Sequence, residues 1–153
     1  KIGYDSRVIL AGRKLNESMG NYVAIKLITE MKKKKIQIEN ANILIMGLTF
    51  KENCSDIRNS GVESVIIELK KFKCNLDLQD PLVDKEEVKK IYDIYPNSKS
   101  KSGQNMYDAV LIAVAHDEFK TIGLAKVKSL CKKNHVIFDL KNLFNSDQVD
   151  LKL

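Results

Sequence analysis

The run Ile43-Leu44-Ile45-Met46-Gly47 constrains the fold more than any other stretch: it is apolar, it ends at a glycine, and a polar loop separates it from a helix-start signal at Ser60. Short, uncharged and partly β-branched, it reads as a strand buried on both faces, as strands of parallel sheets are. Beyond the loop, Ser60-Gly61-Val62-Glu63 has the spacing of a capping box, in which the serine oxygen accepts from the third amide and the glutamate reaches back to the cap. Strand, loop and helix N-terminus in that order make an anion site, because free amides and the helix dipole both favour negative charge there. Lys51 and Arg58 lie in this loop and add two full positive charges.

From Asn42 onward strand and helix patterns alternate, which predicts an α/β fold: a Rossmann-like parallel sheet of about four strands with flanking helices over residues 42–143. The first strand is Asn42 to Met46. A helix from about Gly61 to Lys71 follows, with Val62, Val65, Ile66 and Leu69 on its apolar face. Asn75 to Gln79 is a short second strand, ended by Asp80-Pro81 because proline cannot donate to a ladder. Asp84-Lys85-Glu86-Glu87 is another capping box and opens a helix to about Tyr92. Pro96 to Gln104 reads as an exposed polar loop with room for one short strand. Ala109 to Ala115 is the most hydrophobic run and predicts a central strand. A short helical turn at Asp117 to Phe119, a fuller helix from Leu124 to Lys132 and a last strand from Val136 to Asp139 follow, with Leu143-Phe144 folding back over it.

Before all this, Ser6 to about Lys35 reads as one long N-terminal helix, with Val8, Ile9, Leu15, Met19, Tyr22, Val23, Ile25, Ile28 and Met31 recurring at spacings of three and four. Gly12 and Gly20 each weaken such a helix by about 1 kcal/mol against alanine, and they let another backbone come close. Lys32 to Lys35 close it, where cations suit the C-terminal dipole. The division expected is residues 1–38 as a connecting helix and 39–153 as the sheet domain. Its apolar surface exceeds what one neighbour can cover, so a further domain or a second subunit is expected on it.

The net charge of +6 comes largely from the lysine run and from helix faces, without a DNA-binding motif or an aromatic stacking platform, so no nucleic-acid partner is expected. No run approaches the length of a membrane span, and no signal peptide is visible. Beginning at Lys1 without methionine, the chain is expected to be a piece of a longer protein. Cys54, Cys74 and Cys131 are too few and too far apart for a disulfide framework or a C-x-x-C metal site, so reduced thiols, no metal and a cytoplasmic setting are expected.

The string GLTFKENCSDIRNS at positions 47–60 carries G-x-x-F-K, D-x-R and N-S. It resembles the nucleotide-sugar-binding motif in the C-terminal domain of the UDP-glucose/GDP-mannose dehydrogenase family, most of all the UDP-N-acetylhexosamine 6-dehydrogenase branch of bacterial capsule and O-antigen synthesis. VILAGRKLNESMG in the long helix, with YDAVLIAVAHDEF and VIFDLKNL at later strand ends, extends the likeness over essentially the whole chain. The resemblance implies NAD-dependent oxidation of the C6 alcohol of a UDP-sugar to a uronic acid, through two hydride transfers and a thiohemiacetal on cysteine. It implies that Phe50 contacts the uridine nucleotide through backbone or ring and Lys51 through its ammonium, that Lys141 approaches the substrate, and that Arg58 reaches the NAD cofactor across a domain cleft. It also implies a homodimer built on the long helix.

The residues themselves agree on two points. A flexible point charge such as Lys51, just beyond the carboxyl edge of a sheet, suits a diphosphate. Arg58 offers a planar fork for phosphate or carboxylate, with Asp56 placed to orient the loop by pairing with it. An autonomous dinucleotide site is disfavoured: Asp80 stands where a ribose-binding acid would, but Gly47 is followed by Leu48, Thr49 and Phe50 rather than the glycines of G-x-G-x-x-G. Cys54 near two cations suggests a nucleophile. The family's catalytic cysteine, however, belongs to a G-F-G-G-x-C string absent here, so the chain holds no catalytic residue, lacks the main NAD site and is expected to be inactive alone. His116 and His135 are expected to be structural, with His116, ending the central strand, the one nearer the cleft. The alternatives are a stand-alone nucleotide-sugar-binding or dimerisation module, and a nucleic-acid-binding α/β domain.

Overall fold

The computed structural model describes residues 7–96 and 104–153, with side chains from Ser18 onward. Its elements are α1 (Arg7–Lys33), β1 (Asn42–Met46), α2 (Val62–Lys71), β2 (Asn75–Gln79), α3 (Lys85–Tyr92), β3 (Tyr107–Ile112), α4 (Asp117–Leu130), β4 (Cys131–Asp139) and β5 (Leu151–Lys152). Among the described residues five strands form one sheet in the order β2-β1-β3-β4-β5, every pair parallel. The Rossmann-like parallel sheet with flanking helices is therefore present, with one strand more than the sequence predicts.

Register explains why both faces are dry. Ile43, Ala109 and Val136 stand side by side, as do Ile45, Leu111 and Phe138, and these rows face α1, α2 and α3. The alternate rows, Leu44-Val110-Ile137 and Met46-Ile112, face Phe119, Val127 and Leu130 of α4. Burying a side chain of this size stabilises by roughly 1.5–3 kcal/mol, so a one-residue slip that exchanged the faces would cost many such contacts.

The long helix ends two residues before the expected boundary. Lys35 takes a left-handed conformation (φ 58°), its amide donates to the Lys32 carbonyl, and the Ile36 amide donates back to Met31. This is a Schellman stop, with Ile36 and Met31 buried in the same cluster. The close approach expected at a helix glycine occurs at Gly20, where a Cβ would stand 2.0 Å from Ser64 Oγ of α2. The side chains of the expected apolar positions before Ser18, and the expected loop over residues 97–103, lie outside the described residues.

Three expected strand bounds are corrected. β3 starts earlier, at Tyr107, and stops at Ile112, since the amides of Ala113 and Val114 turn back to the Met46 carbonyl. Polar residues hid that start: the Tyr107 hydroxyl donates to Asp77, and Asp108 accepts from the Asn42 amide and from Lys132. β4 begins at Cys131, not Val136. β5 was not expected, being two residues that pair with Phe138 and Asp139. The two helical segments predicted around Gly123 form α4, broken at Gly123 by φ 73° and ψ 158°. Leu143 and Phe144 do fold back, against the α4-side cluster.

Among the described residues no helix is long and apolar enough to cross a membrane, and no group of residues is arranged to hold a metal ion.

Candidate functional site

The strand order reverses at β1: β2 flanks it on one side and β3 on the other. In open α/β sheets, ligands bind in the crevice beyond the carboxyl ends of the strands at such a reversal. A cavity of about 650 Å3 opens at that edge, lined by Phe50 and Ser60 of the loop after β1, Glu63 of α2, Val114 after β3, Lys141 after β4, and Met19 of α1. Its size falls among ordinary small-molecule sites.

The loop from Gly47 to Gly61 builds one side of the rim, beside α1, α2 and the turns after β3 and β4. Gly47 has φ 90°, and a Cβ there would stand 2.5 Å from Val114 Cβ, so the loops leaving β1 and β3 touch because this residue is glycine. The backbone then closes on itself, the Phe50 amide donating to the Asp56 carbonyl at 2.8 Å. Asn53 and Asn59 take left-handed conformations (φ 55° and 58°), which asparagine tolerates better than most residues. The expected capping box at Ser60 does not form. The hydroxyl of Ser60 donates to the Thr49 carbonyl and its oxygen accepts from Val62, while the helix cap is Gly61, without a side-chain bond. Tertiary contact with the loop has taken the serine. At α3 the predicted cap is present, Asp84 accepting from the Glu87 amide at 2.9 Å.

Two buried residues from other strand ends grip this loop. The Asp80 carboxylate, shielded from solvent at the end of β2, accepts from the Leu48 amide at 2.7 Å and from His116 Nε2 at 3.0 Å, and its other oxygen accepts from the Leu82 amide. His116, 1% exposed after β3, accepts the Asn53 amide on Nδ1 at 3.0 Å and meets Thr49 Oγ1 with Nε2 at 3.2 Å. Shielded from solvent and accepting three hydrogen bonds, Asp80 is turned to the loop rather than presented to a ribose.

Charge is distributed unevenly around the rim. Lys51 is exposed and its ammonium has no partner among the described residues. The Arg58 guanidinium forks onto both oxygens of Asp56, at 2.9 and 2.8 Å, though 76% of its side chain stays exposed. That pair, with the Arg58 amide, holds the Asp56 carboxyl down at about 2 and raises Arg58 above its ordinary value. Lys141 is carried by a turn that Asp139 caps, the buried carboxylate accepting from the Lys141 amide at 3.1 Å and the Phe144 amide at 2.9 Å. Phe50 is 64% exposed, so it is not a core plug.

Residues 44–146 match the UDP binding domain of the UDP-glucose/GDP-mannose dehydrogenase family. The chain belongs to that family. It is 47% identical over 152 residues to a UDP-N-acetyl-D-glucosamine 6-dehydrogenase of Salmonella typhi, covering 99% of this chain and 35% of the relative. A protein of the same name from Pseudomonas aeruginosa is 43% identical, covering 99% and 36%. Among solved structures, a UDP-D-ManNAc dehydrogenase from Pyrococcus horikoshii superposes with a TM-score of 0.69 at 26% identity, over 95% of this chain and 32% of that one. The chain thus spans about a third of the length of the relatives it matches.

The matched region contains the loops after β1, β3 and β4 that line the cavity, while Met19 of α1 lies before it. Of the four residues expected to bind, the structure brings Phe50 and Lys141 to the cavity, whereas Lys51 and Arg58 stand on the loop without lining it. The grip of Asp80 and His116 was not foreseen as such. Its only sequence signals were an acid ending β2 and a histidine ending the central run. Cys54 is half-buried and accepts from the Asp56 amide at 3.5 Å, a loop contact. Burial pushes the Cys74 thiol up to about 11 and that of Cys131 to about 12. His135 lies midway along β4, bonded to the Lys132 carbonyl, away from the rim.

Proposed function

We propose that this chain is the part of an NAD-dependent UDP-sugar 6-dehydrogenase that grips the nucleotide end of the substrate. Phe50, Lys51 and Lys141 are its gripping residues. One observation supports this above all: a phenylalanine 64% exposed stands at a strand-reversal cavity shared with a lysine. A bare ring in water is worth covering, and a uracil face would cover it. Lys141, with Lys51 on the same loop as Phe50, supplies ammonium groups for a diphosphate, and the first turn of α2 adds its dipole.

The oxidation itself, from C6 alcohol to carboxylate with NAD as hydride acceptor, belongs in this proposal to the remainder of the longer protein. The residues here do not fit a main dinucleotide site. Counted from Gly47, Thr49 and Glu52 stand where the second and third glycines of G-x-G-x-x-G would admit a pyrophosphate, and the Asp80 side chain is shielded and engaged by Leu48 and His116. Arg58, held by Asp56 yet largely exposed, is proposed to meet the cofactor from across a cleft.

In the same reading residues 1–38 connect to the remainder of the protein and 39–153 bind the nucleotide sugar. Met19, Tyr22 and Ile25, 43–50% exposed on α1, form the seam of a homodimer. Three free cysteines suit a cytoplasmic setting.

Calorimetric titration of the chain with UDP tests the proposal. Weak binding is expected, lowered about tenfold, or ~1.4 kcal/mol, in Lys51→Ala. Titrations that cannot be told apart overturn the assignment of Lys51, and absence of any heat with UDP overturns the reading as a whole.

A further inference from the structure

We propose that His116 is a positioning residue for the nucleotide-binding loop: a neutral imidazole protonated on Nε2, it clips Asn53 to Asp80 and so presents Phe50 and Lys51 in the geometry that receives the nucleotide. This rests on the nucleotide-grip reading and deepens it.

The protonation state follows from the partners. A backbone N–H can only donate, and the Asn53 amide lies 3.0 Å from Nδ1, so Nδ1 carries the lone pair. The proton is then on Nε2, which points it at Asp80 Oδ2, 3.0 Å away. Thr49 completes the set. Its hydroxyl proton is spent on the Lys51 carbonyl at 2.8 Å, so its oxygen turns a lone pair toward the same Nε2–H at 3.2 Å. Both ring nitrogens are occupied and the ring is 1% exposed, with Phe119 set edge-on to it. Such a ring cannot take a proton from a substrate, so its work is done through the groups it holds.

Those groups bracket the exposed pair. Asp80 fixes Leu48, His116 fixes Thr49 and Asn53, and the Asn53 side chain exchanges two bonds with Asp117, donating to the carboxylate at 2.7 Å and accepting its amide at 3.1 Å. Phe50 and Lys51 lie between these anchors with side chains in solvent. A loop ordered in advance does not lose that freedom when ligand arrives, which strengthens binding without adding a contact. The clip joins the ends of three strands, β1, β2 and β3, at the reversal where a ligand is expected.

The test separates the two ring nitrogens. In His116→Asn the side-chain amide oxygen reaches the position of Nδ1 and still accepts from Asn53. In His116→Gln the amide nitrogen reaches the position of Nε2, still donates to Asp80, and leaves Asn53 unheld. Nitrogen NMR of the wild-type chain is expected to show Nδ1 unprotonated and Nε2 protonated. Hydrogen exchange at the Asn53 amide is expected to accelerate at least tenfold in His116→Gln and less than threefold in His116→Asn. UDP affinity is expected to fall about tenfold in the first, which frees Asn53, and about threefold in the second, which keeps Asn53 held but cuts the link to Asp80. Asn53→Gly loosens the same clip from the exposed side, keeps the left-handed backbone, and is expected to weaken UDP severalfold should either core variant fail to fold. A proton on Nδ1, or unchanged Asn53 exchange in His116→Gln, overturns the proposal. Faster exchange with unchanged UDP affinity overturns the positioning role while leaving the nucleotide site standing. A wild-type chain that does not bind UDP removes both.

Discussion

Two turns leave the sheet at the same edge and are held in opposite ways. The turn after β4 is capped from within: Asp139, its own first residue, accepts the amides of Lys141 and Phe144, two and five positions on. The loop after β1 is held from outside, by Asp80 at a sequence distance of 32 from Leu48 and by His116 at 63 from Asn53. Both present a lysine. The short turn needs only a local carboxylate to do it, whereas the long loop, whose ends can wander farther before closing, requires partners that the rest of the fold brings to it.

The largest effect separating them is on stability. Asp80→Ala removes the acceptor for three donors, the Leu48 and Leu82 amides and His116 Nε2, at a site shielded from solvent, so a loss of about 3–5 kcal/mol is expected in urea unfolding. Asp139→Ala frees two amides that a loosened turn can return to water, at about 2–3 kcal/mol. Equal losses would break the distinction between borrowed and local support.

A thiol sharpens it further. Cys54 lies in the borrowed loop, while burial holds the Cys74 and Cys131 thiols at about 11 and about 12. At pH 8 an alkylating reagent is expected to modify Cys54 alone, as read by mass spectrometry. Its rate is expected to rise severalfold in Asp80→Ala and to stay within twofold in Asp139→Ala.

The smallest effect concerns an ion pair that the long loop makes within itself. Arg58 holds the Asp56 carboxyl at about 2, below its ordinary 3.8, so the pair contributes fully above the ordinary value and is lost as pH falls from there through about 2. Carboxyl NMR is expected to show Asp56 titrating near 2, and Arg58→Ala is expected to return the midpoint toward 3.8. A midpoint unmoved by that substitution would show that Arg58 is not the partner that matters.

Much of the fold was readable where local chemistry is self-sufficient. The bounds of β1 and β2, the Asp84 cap and the separation of a turn at Asp117 from a helix at Leu124 agree with the sequence pattern, because apolar runs and an isolated cap act over a few residues. Local patterns mislead where distant segments compete. Ser60 had the spacing of a capping residue but bonded the Thr49 carbonyl, eleven positions back. Polar residues opened β3 because Asp77 and Lys132 wait for Tyr107 and Asp108, and β5 is too short to carry a pattern. For the site, the motif points to the loop after β1, yet nothing in it tells which of Phe50, Lys51, Arg58 and Lys141 share a cavity.

The sequence alone determined that an apolar parallel sheet would form and that a cationic loop would leave its first strand, since the spacing of apolar residues and a glycine act locally. Only the tertiary structure decided that Asp80 would be a buried anchor rather than a ribose ligand and that His116 would close on the loop. Those roles depend on which strand ends become neighbours, and in a sheet ordered 2-1-3-4-5 that adjacency is set by long-range packing of both faces.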